Sequence, residues 1–150
     1  MSKIIVAESA GFCFGVNRAI NILYKLIDEN KPACTLGPII HNMQMVNELR
    51  EKGVRTIDKI SEAKENETIV IRSHGVPQSI VDEINERHLD YIDATCPFVS
   101  KIHKIVSETD DDSIVIIAGD KNHPEVQGIM GHCKSKCYTF KNQEELQKLF

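Results

Sequence analysis

Tryptophan is absent from this chain of 150 residues, and aromatic residues make up only 5% of it. No apolar run approaches the ~20 residues that a membrane-spanning helix needs, so the sequence predicts no membrane span. Low-complexity tracts and repeats at the level of residue identity are also lacking. What remains is a globular protein whose 41% hydrophobic content is sufficient for a real core.

Excess positive charge is missing as well, since the formal net charge is -4 and no basic stripe is present. This argues against a nucleic-acid surface and against steering of anions by the field of the whole molecule. Any anionic ligand must therefore be held by a local site. The N-terminus has no signal-peptide pattern and leads directly into a predicted strand at Lys3 to Ala7, so we expect a cytoplasmic protein.

Five cysteines occur in this sequence without export features. Such cysteines are more typical of reduced thiols, metal sites or catalysis than of a disulfide framework. Cys34 falls within a predicted strand and is expected to be packed, whereas the sequence assigns no role to Cys133 or Cys137. The other two thiols, Cys13 and Cys96, each lie in a loop between a predicted strand and a predicted helix.

The segment DATCPFV at residues 93–99 organises the chain. An apolar run before it predicts a strand, and Pro97 is suited to open the helix that follows. Cys96 then lies at a helix start, where backbone N–H groups and the helix dipole favour the thiolate that binds metals. A buried structural cysteine is the alternative. The predicted apolar face of the helix carries Phe98, Val99, Ile102, Ile105 and Val106.

Strand, loop and helix patterns repeat along the whole sequence. This repetition predicts an α/β fold with mainly parallel sheets, in which residues 113–118 form a buried strand. We expect a first α/β domain over residues 1–97 and the start of a second over residues 98–150. The chain ends on a predicted helix whose apolar side needs further protein to cover it. That side carries Leu146, Leu149 and Phe150.

Five predicted loops at the carboxyl ends of strands, where α/β sheets bind ligands, carry cysteine or histidine. They contain Cys13, His41, His74, Cys96, and His123 with Glu125. A lone loop histidine is more often exposed or locally bonded, but five such loops are hard to attribute to chance. Thiolates select zinc, copper or iron–sulfur clusters, and histidines at helix starts donate to anions. The other histidines are interpreted as structural or exposed: His88, His103 and His132.

Five motifs together resemble the 4-hydroxy-3-methylbut-2-enyl diphosphate reductase family, which catalyses the last step of the non-mevalonate isoprenoid pathway. The motifs are GFCFGV at 11–16, IHN at 40–42, SHGV at 73–76, DATCP at 93–97 and HPEVQG at 123–128. Their order matches along essentially all of the chain. The resemblance implies an enzyme of three α/β domains around a central cavity, with this chain as its N-terminal part.

The resemblance also implies a 4Fe-4S cluster held by three cysteines. Cys13 and Cys96 would be two of its ligands, and the third cysteine would lie beyond residue 150, together with a Ser-x-Asn diphosphate motif. Cys133 and Cys137 do not match that missing motif, because their spacing is too short. Reduced ferredoxin or flavodoxin is the implied electron donor.

Roles for the remaining motif residues follow from the same resemblance. His41 and His74 would bind the diphosphate, and His123 would line the pocket and help to position the substrate. Glu125 would belong to the proton-delivery path. The implied reaction removes the allylic hydroxyl of the substrate and gives isopentenyl and dimethylallyl diphosphate.

Two other functions remain open from the residues alone. The first is a hydrolase that uses zinc as a Lewis acid with the same cysteines and histidines. The second is a non-catalytic phosphate-binding or interaction domain with incidental thiols. An iron–sulfur protein would be brown, whereas a zinc protein would be colourless.

Overall fold

The computed structural model describes residues 3–149, so the prediction that Phe150 belongs to the last helix lies outside the described residues. The strands are β1 Ala33–Leu36, β2 Arg55–Ile57, β3 Thr68–Ile71, β4 Tyr91–Asp93, β5 Ile114–Ala118 and β6 Lys136–Phe140. The helices are α1 Phe14–Asp28, α2 Met43–Glu51, α3 Gln78–Glu86, α4 Pro97–Ser107, α5 Pro124–Met130 and α6 Gln143–Gln147. One 3-10 turn spans Ile60–Glu62.

Two separate parallel sheets form the framework, which confirms the predicted α/β fold. The first sheet has the strand order β2-β1-β3-β4, and the second pairs β5 with β6. Every one of these strand pairs is parallel. The carboxyl ends of β1, β3 and β4 therefore meet at one edge of the first sheet. The predicted domain boundary between residues 97 and 98 remains a prediction.

The first sheet is covered on both faces, since both neighbouring strands β1 and β3 are almost fully buried. One apolar cluster joins this sheet to α1 and α2, and the other joins it to α3 and the 3-10 turn. The largest fully buried side chains in the two clusters are Leu23, Ile39, Ile57, Ile69, Ile71, Ile84, Val70 and Cys34. Such continuous apolar runs are typical of parallel strands that are buried on both sides.

Helix starts follow the capping residues that the sequence indicates. The Asn42 side chain accepts a hydrogen bond from the Met45 amide at 3.0 Å, and Asn142 accepts one from the Glu145 amide at 2.9 Å. Pro97 is the first residue of α4, where its missing N–H costs nothing. None of the helices described between residues 3 and 149 is both long and apolar enough to cross a bilayer.

The predicted strand at Lys3 to Ala7 is wrong, because these residues have no regular secondary structure. A strand requires a neighbour for its backbone hydrogen bonds, and no strand within residues 3–149 pairs with this segment. Its apolar side chains are correspondingly exposed: Ile4, Ile5 and Val6.

The prediction that β5 is buried is also wrong, although its parallel pairing is correct. Burial alternates along the strand, and Ile114 and Ile116 are 58% and 41% exposed. Tyr138 on the paired strand β6 is exposed as well. This alternation is typical of a strand in a sheet with one covered face, whereas a continuous apolar run predicts a strand packed on both faces.

The predicted buried face of α4 is partly wrong. Val99 and Val106 are buried, and the residue between them at helical spacing is the buried His103. These three side chains lie on one face because positions three and four residues apart are neighbours on a helix. The remaining apolar residues of the predicted face are exposed: Phe98, Ile102 and Ile105.

Burial of His103 generates a prediction about pH and stability. Burial, and then His132, lower the pKa of His103 from 6.5 to about 4, while Asp93 opposes the shift. The unfolded ring takes up a proton near pH 6.5, so the free energy of unfolding should fall as the pH drops from 6.5 to about 4. Replacing His103 by Phe should flatten this part of the curve. Urea unfolding at several pH values provides the measurement, and parallel curves for both proteins would contradict the account.

Candidate functional site

Three histidines from three different loops meet beyond the carboxyl ends of the strands. His41 precedes α2, His74 follows β3, and His123 caps α5. The ring centroids of His41 and His74 are 4.8 Å apart, and the His123 centroid is 6.3 Å and 6.1 Å from them. These three residues, here called the histidine cluster, join loops from both sheets.

The loops around this cluster are connected through Ser73. Its buried hydroxyl donates to the Ile39 carbonyl at 3.4 Å, and its own carbonyl accepts from the Cys96 amide at 2.9 Å. The first contact links the turn of His74 to the segment that leads to His41. The second places the start of α4 against the same turn. These hydrogen bonds, as well as the order of the strands, therefore bring together loops that are far apart in the sequence.

His74 is neutral at physiological pH. Burial lowers its pKa from 6.5 to about 4, and electrostatic interactions with His41, Arg72 and His123 contribute in the same direction. A neutral imidazole still donates one N–H to a ligand and accepts at its other nitrogen. His74 can therefore recognise an anion by hydrogen bonding without carrying a charge.

Glu125 is placed next to the cluster by the first turn of α5. The His123 Nδ1 atom accepts a hydrogen bond from the Glu125 backbone amide at 3.3 Å, as the helix cap. This bond leaves the proton of a neutral ring on Nε2, which is free to donate elsewhere. The Glu125 side chain is partly buried, and its carboxylate is the kind of group that can transfer a proton.

Arg72 is a further candidate site residue, which the sequence motifs did not indicate. It follows β3 and directly precedes the SHGV motif at 73–76. This adjacency is the sequence signal that could have indicated it. Its guanidinium lies against Gly37, where an added Cβ would be 2.7 Å from Nη1. Among the ion pairs of the described residues, none involves Arg72, so its positive charge adjoins the cluster uncompensated by a carboxylate.

The two candidate thiols lie at contacting helix starts. Cys13 precedes α1 and is exposed, while Cys96 precedes α4 and is partly buried. A Cβ added at Gly15 would lie 2.5 Å from the Cys96 Sγ atom, so the first turn of α1 touches this thiol directly. Arg18 secures the contact by donating to the Thr95 and Asp93 carbonyls, both at 3.2 Å.

The other three cysteines are placed away from the candidate site. Cys34 is fully buried in β1, as expected, and burial raises its pKa to about 11. Burial and a hydrogen bond with Cys137 raise the pKa of Cys133 to about 12. Both thiols follow the C-terminal end of α5, whereas His123 is at its N-terminal end. Within residues 3–149, no three cysteine, histidine or acidic side chains are grouped so that they could hold a metal ion.

Replacing Gly15 by Ala tests the contact between α1 and Cys96. Alanine favours a helix over glycine by up to ~1 kcal/mol. The collision with the Cys96 side chain should outweigh this and lower the free energy of unfolding by about 1–3 kcal/mol, a typical effect of overpacking. Urea unfolding measures the change, and Asn21→Ala on the exposed side of α1 is the control. Equal stability of Gly15→Ala and the natural protein would contradict the contact.

The fold defines a parallel α/β protein, whose candidate site gathers histidines and cysteines from loops at the carboxyl ends of its strands. The chain matches the LytB protein family over residues 4–150 and belongs to that family. Among curated proteins it is similar to the 4-hydroxy-3-methylbut-2-enyl diphosphate reductase of Alkaliphilus oremlandii, with 39% identity over 98% of this chain and 53% of the relative. The protein of that name from Caldanaerobacter subterraneus is 43% identical over the same shares.

Solved structures agree with the family assignment. The chain superimposes on (E)-4-hydroxy-3-methyl-but-2-enyl diphosphate reductase, described as the terminal enzyme of the non-mevalonate pathway. The TM-score is 0.82 at 41% identity, covering 99% of this chain and 54% of the other. For the Plasmodium falciparum E-1-hydroxy-2-methyl-but-2-enyl-4-diphosphate reductase the TM-score is 0.86 at 29% identity, covering 95% and 46%. The chain thus spans about half the length of the relatives it matches.

Proposed function

We propose that this chain is part of an oxidoreductase that removes the allylic hydroxyl of 4-hydroxy-3-methylbut-2-enyl diphosphate to give isopentenyl and dimethylallyl diphosphate. The observation that carries the proposal is the meeting of His41, His74 and His123 beside the carboxyl ends of the strands. The names of the relatives support a reductase rather than a zinc hydrolase or a binding domain. The cytoplasmic location and the electron donor, reduced ferredoxin or flavodoxin, remain predictions.

The histidine cluster is the proposed diphosphate site. Ring centroids 4.8 to 6.3 Å apart are close enough for several N–H donors to reach the oxygens of one diphosphate. Arg72 adds positive charge next to His74. This local charge would balance the negative charge of a diphosphate, whereas the net charge of the whole chain is itself negative. Holding the diphosphate would fix the reacting carbon relative to the thiols and Glu125, and such orientation lowers the barrier.

Cys13 and Cys96 are the proposed ligands of an iron–sulfur cluster. The space left by Gly15 favours this assignment, because a side chain there would occupy the position next to the Cys96 Sγ atom. Two thiols are fewer than a cluster requires, so the third ligand is expected to be a cysteine beyond residue 150. When bound, such a cluster supplies the electrons that reductive loss of a hydroxyl needs.

Glu125 is the proposed proton donor. Loss of the hydroxyl as water requires a proton at the departing oxygen, and a positioned carboxylic acid is able to supply it. The hydrogen bond between the Glu125 amide and His123 holds the start of α5 beside the proposed diphosphate site. The acid would therefore be close to the bound substrate.

Replacing Glu125 by Gln in the natural full-length gene product tests the proton donor. We expect kcat to fall about 100-fold, which is typical for loss of a general acid, with little change in substrate binding. Anaerobic turnover with reduced methyl viologen measures kcat. Glu144→Gln is the matched control, since Glu144 is also a first-turn acid of a helix, α6. Near-normal kcat in Glu125→Gln would leave this residue with a helix-start role only.

Replacing Cys13 or Cys96 by Ser tests the cluster ligands. Each variant should lose most of its bound iron and sulfide, because a serine hydroxyl is a poorer ligand for iron than a thiolate. Anaerobic iron and sulfide assays on the full-length protein measure the loss, with Cys137→Ser as the control. Zinc in place of iron in the natural protein would favour the hydrolase alternative, and unchanged iron in both variants would remove these thiols from the cluster.

A further inference from the structure

We propose that His103 is a positioning residue whose ring sets the spacing between the turn of His74 and helix α5, and thereby the geometry of the histidine cluster. His103 belongs to α4 and does not touch the proposed ligand itself. The inference rests on the proposed function, since it assigns the spacing to diphosphate binding.

The His103 ring lies between two glycines on different elements. A Cβ added at Gly75 would be 2.5 Å from the His103 Cε1 atom, and one added at Gly128 would be 3.2 Å from Nε2. Real Cβ atoms essentially never come as close as the first distance, and the second would require a neighbour to yield. The ring therefore occupies space that a side chain at either glycine would need.

Both glycines belong to segments that carry the histidine cluster. Gly75 directly follows His74, and Gly128 lies in α5, whose cap is His123. The position of a Cβ at Gly128 is 3.5 Å from the His74 carbonyl oxygen. A change in the size of the side chain at position 103 should therefore change the distance between His74 and α5.

A second set of contacts ties the far end of α5 to the same turn. The His132 ring stacks on His103 with centroids 4.2 Å apart and planes inclined by 21°. A His132 ring nitrogen lies 3.0 Å from the Val76 carbonyl, and the Gly131 carbonyl accepts from the Gln78 amide at 3.3 Å. The helix is thus held at its C-terminal end, and His103 determines how far its middle stands from His74.

The shape of the ring, rather than its polarity, explains its place here. His103 is only 7% exposed, and its Nε2 atom is buried without a hydrogen-bond partner among the described residues. An unpartnered buried nitrogen is unfavourable, so hydrogen bonding at Nε2 does not account for the histidine. A flat ring that fits between two glycines and stacks on His132 does account for it.

A compensating pair of substitutions provides the test in the full-length, metal-loaded protein. Gly128→Ala adds a methyl group against the ring, and His103→Asn removes part of the ring. Each alone should raise the Kd for inorganic diphosphate about tenfold, because small misplacements of binding groups have effects of this order. The double variant should return to within about threefold, since the smaller side chain leaves room for the methyl. Isothermal titration measures Kd, and calorimetry measures Tm.

Controls separate spacing from general damage. Gln127→Ala changes an exposed neighbour on α5 and should leave Kd unchanged. His103→Phe keeps a flat ring and should stay within about threefold of the natural Kd, which decides the matter even if Gly128→Ala does not fold. Losses that multiply in the double variant, or tenfold weaker binding by His103→Phe, would overturn the proposal. So would Kd values within twofold for Gly128→Ala and His103→Asn while the natural protein binds.

Failure of the proposed function has a different signature. If the natural protein does not bind diphosphate, the function fails, but the spacing is still measured by NMR of the histidine rings. The Cε1–H resonances of His74 and His123 should shift in Gly128→Ala and return in the double variant. Resonances unchanged by Gly128→Ala would overturn the positioning role independently of any ligand.

Discussion

Parallel pairing of β1, β3 and β4 is the constraint on which the site depends. In register, Leu36 of β1 lies opposite Ile71 of β3, which in turn lies opposite Asp93 of β4. The chain therefore leaves three neighbouring strands at the same edge, and the loops that follow carry His41, His74 and Cys96. An antiparallel arrangement would send alternate loops to opposite edges and separate these groups.

Close approach at glycine determines the finer geometry. Gly15 allows α1 to rest on the Cys96 side chain, and Gly75 and Gly128 allow His103 to fill the gap between α4, α5 and the His74 turn. Gly131 lies against Pro77 in the same way. These contacts are so close that a larger side chain would not fit. They therefore hold the second sheet near enough for His123 to join the histidines of the first. The cluster is thus a product of packing between elements as well as of strand order.

Sequence patterns predicted the parallel α/β fold and many element limits, because capping residues such as Asn42 and Asn142 act locally. They failed where the outcome depends on a partner elsewhere. Ile4 and its neighbours have strand character but no adjacent strand, and the side of α4 that packs contains His103 rather than Ile102. The loops carrying the candidate residues were evident from spacing. Spacing does not encode burial or tertiary contacts. These determine the distances between the histidine rings, the neutral state of His74 and the position of Arg72 beside them.

The central claim is that histidines from both sheets form one diphosphate site. NMR of the full-length protein with labelled histidine rings tests it most directly, by titration with inorganic diphosphate. The account predicts that His41, His74 and His123 shift along one binding isotherm with a common Kd. His88, at the end of α3 and outside the cluster, should not respond. Separate isotherms for the three rings, or a response of His123 alone, would contradict a shared site.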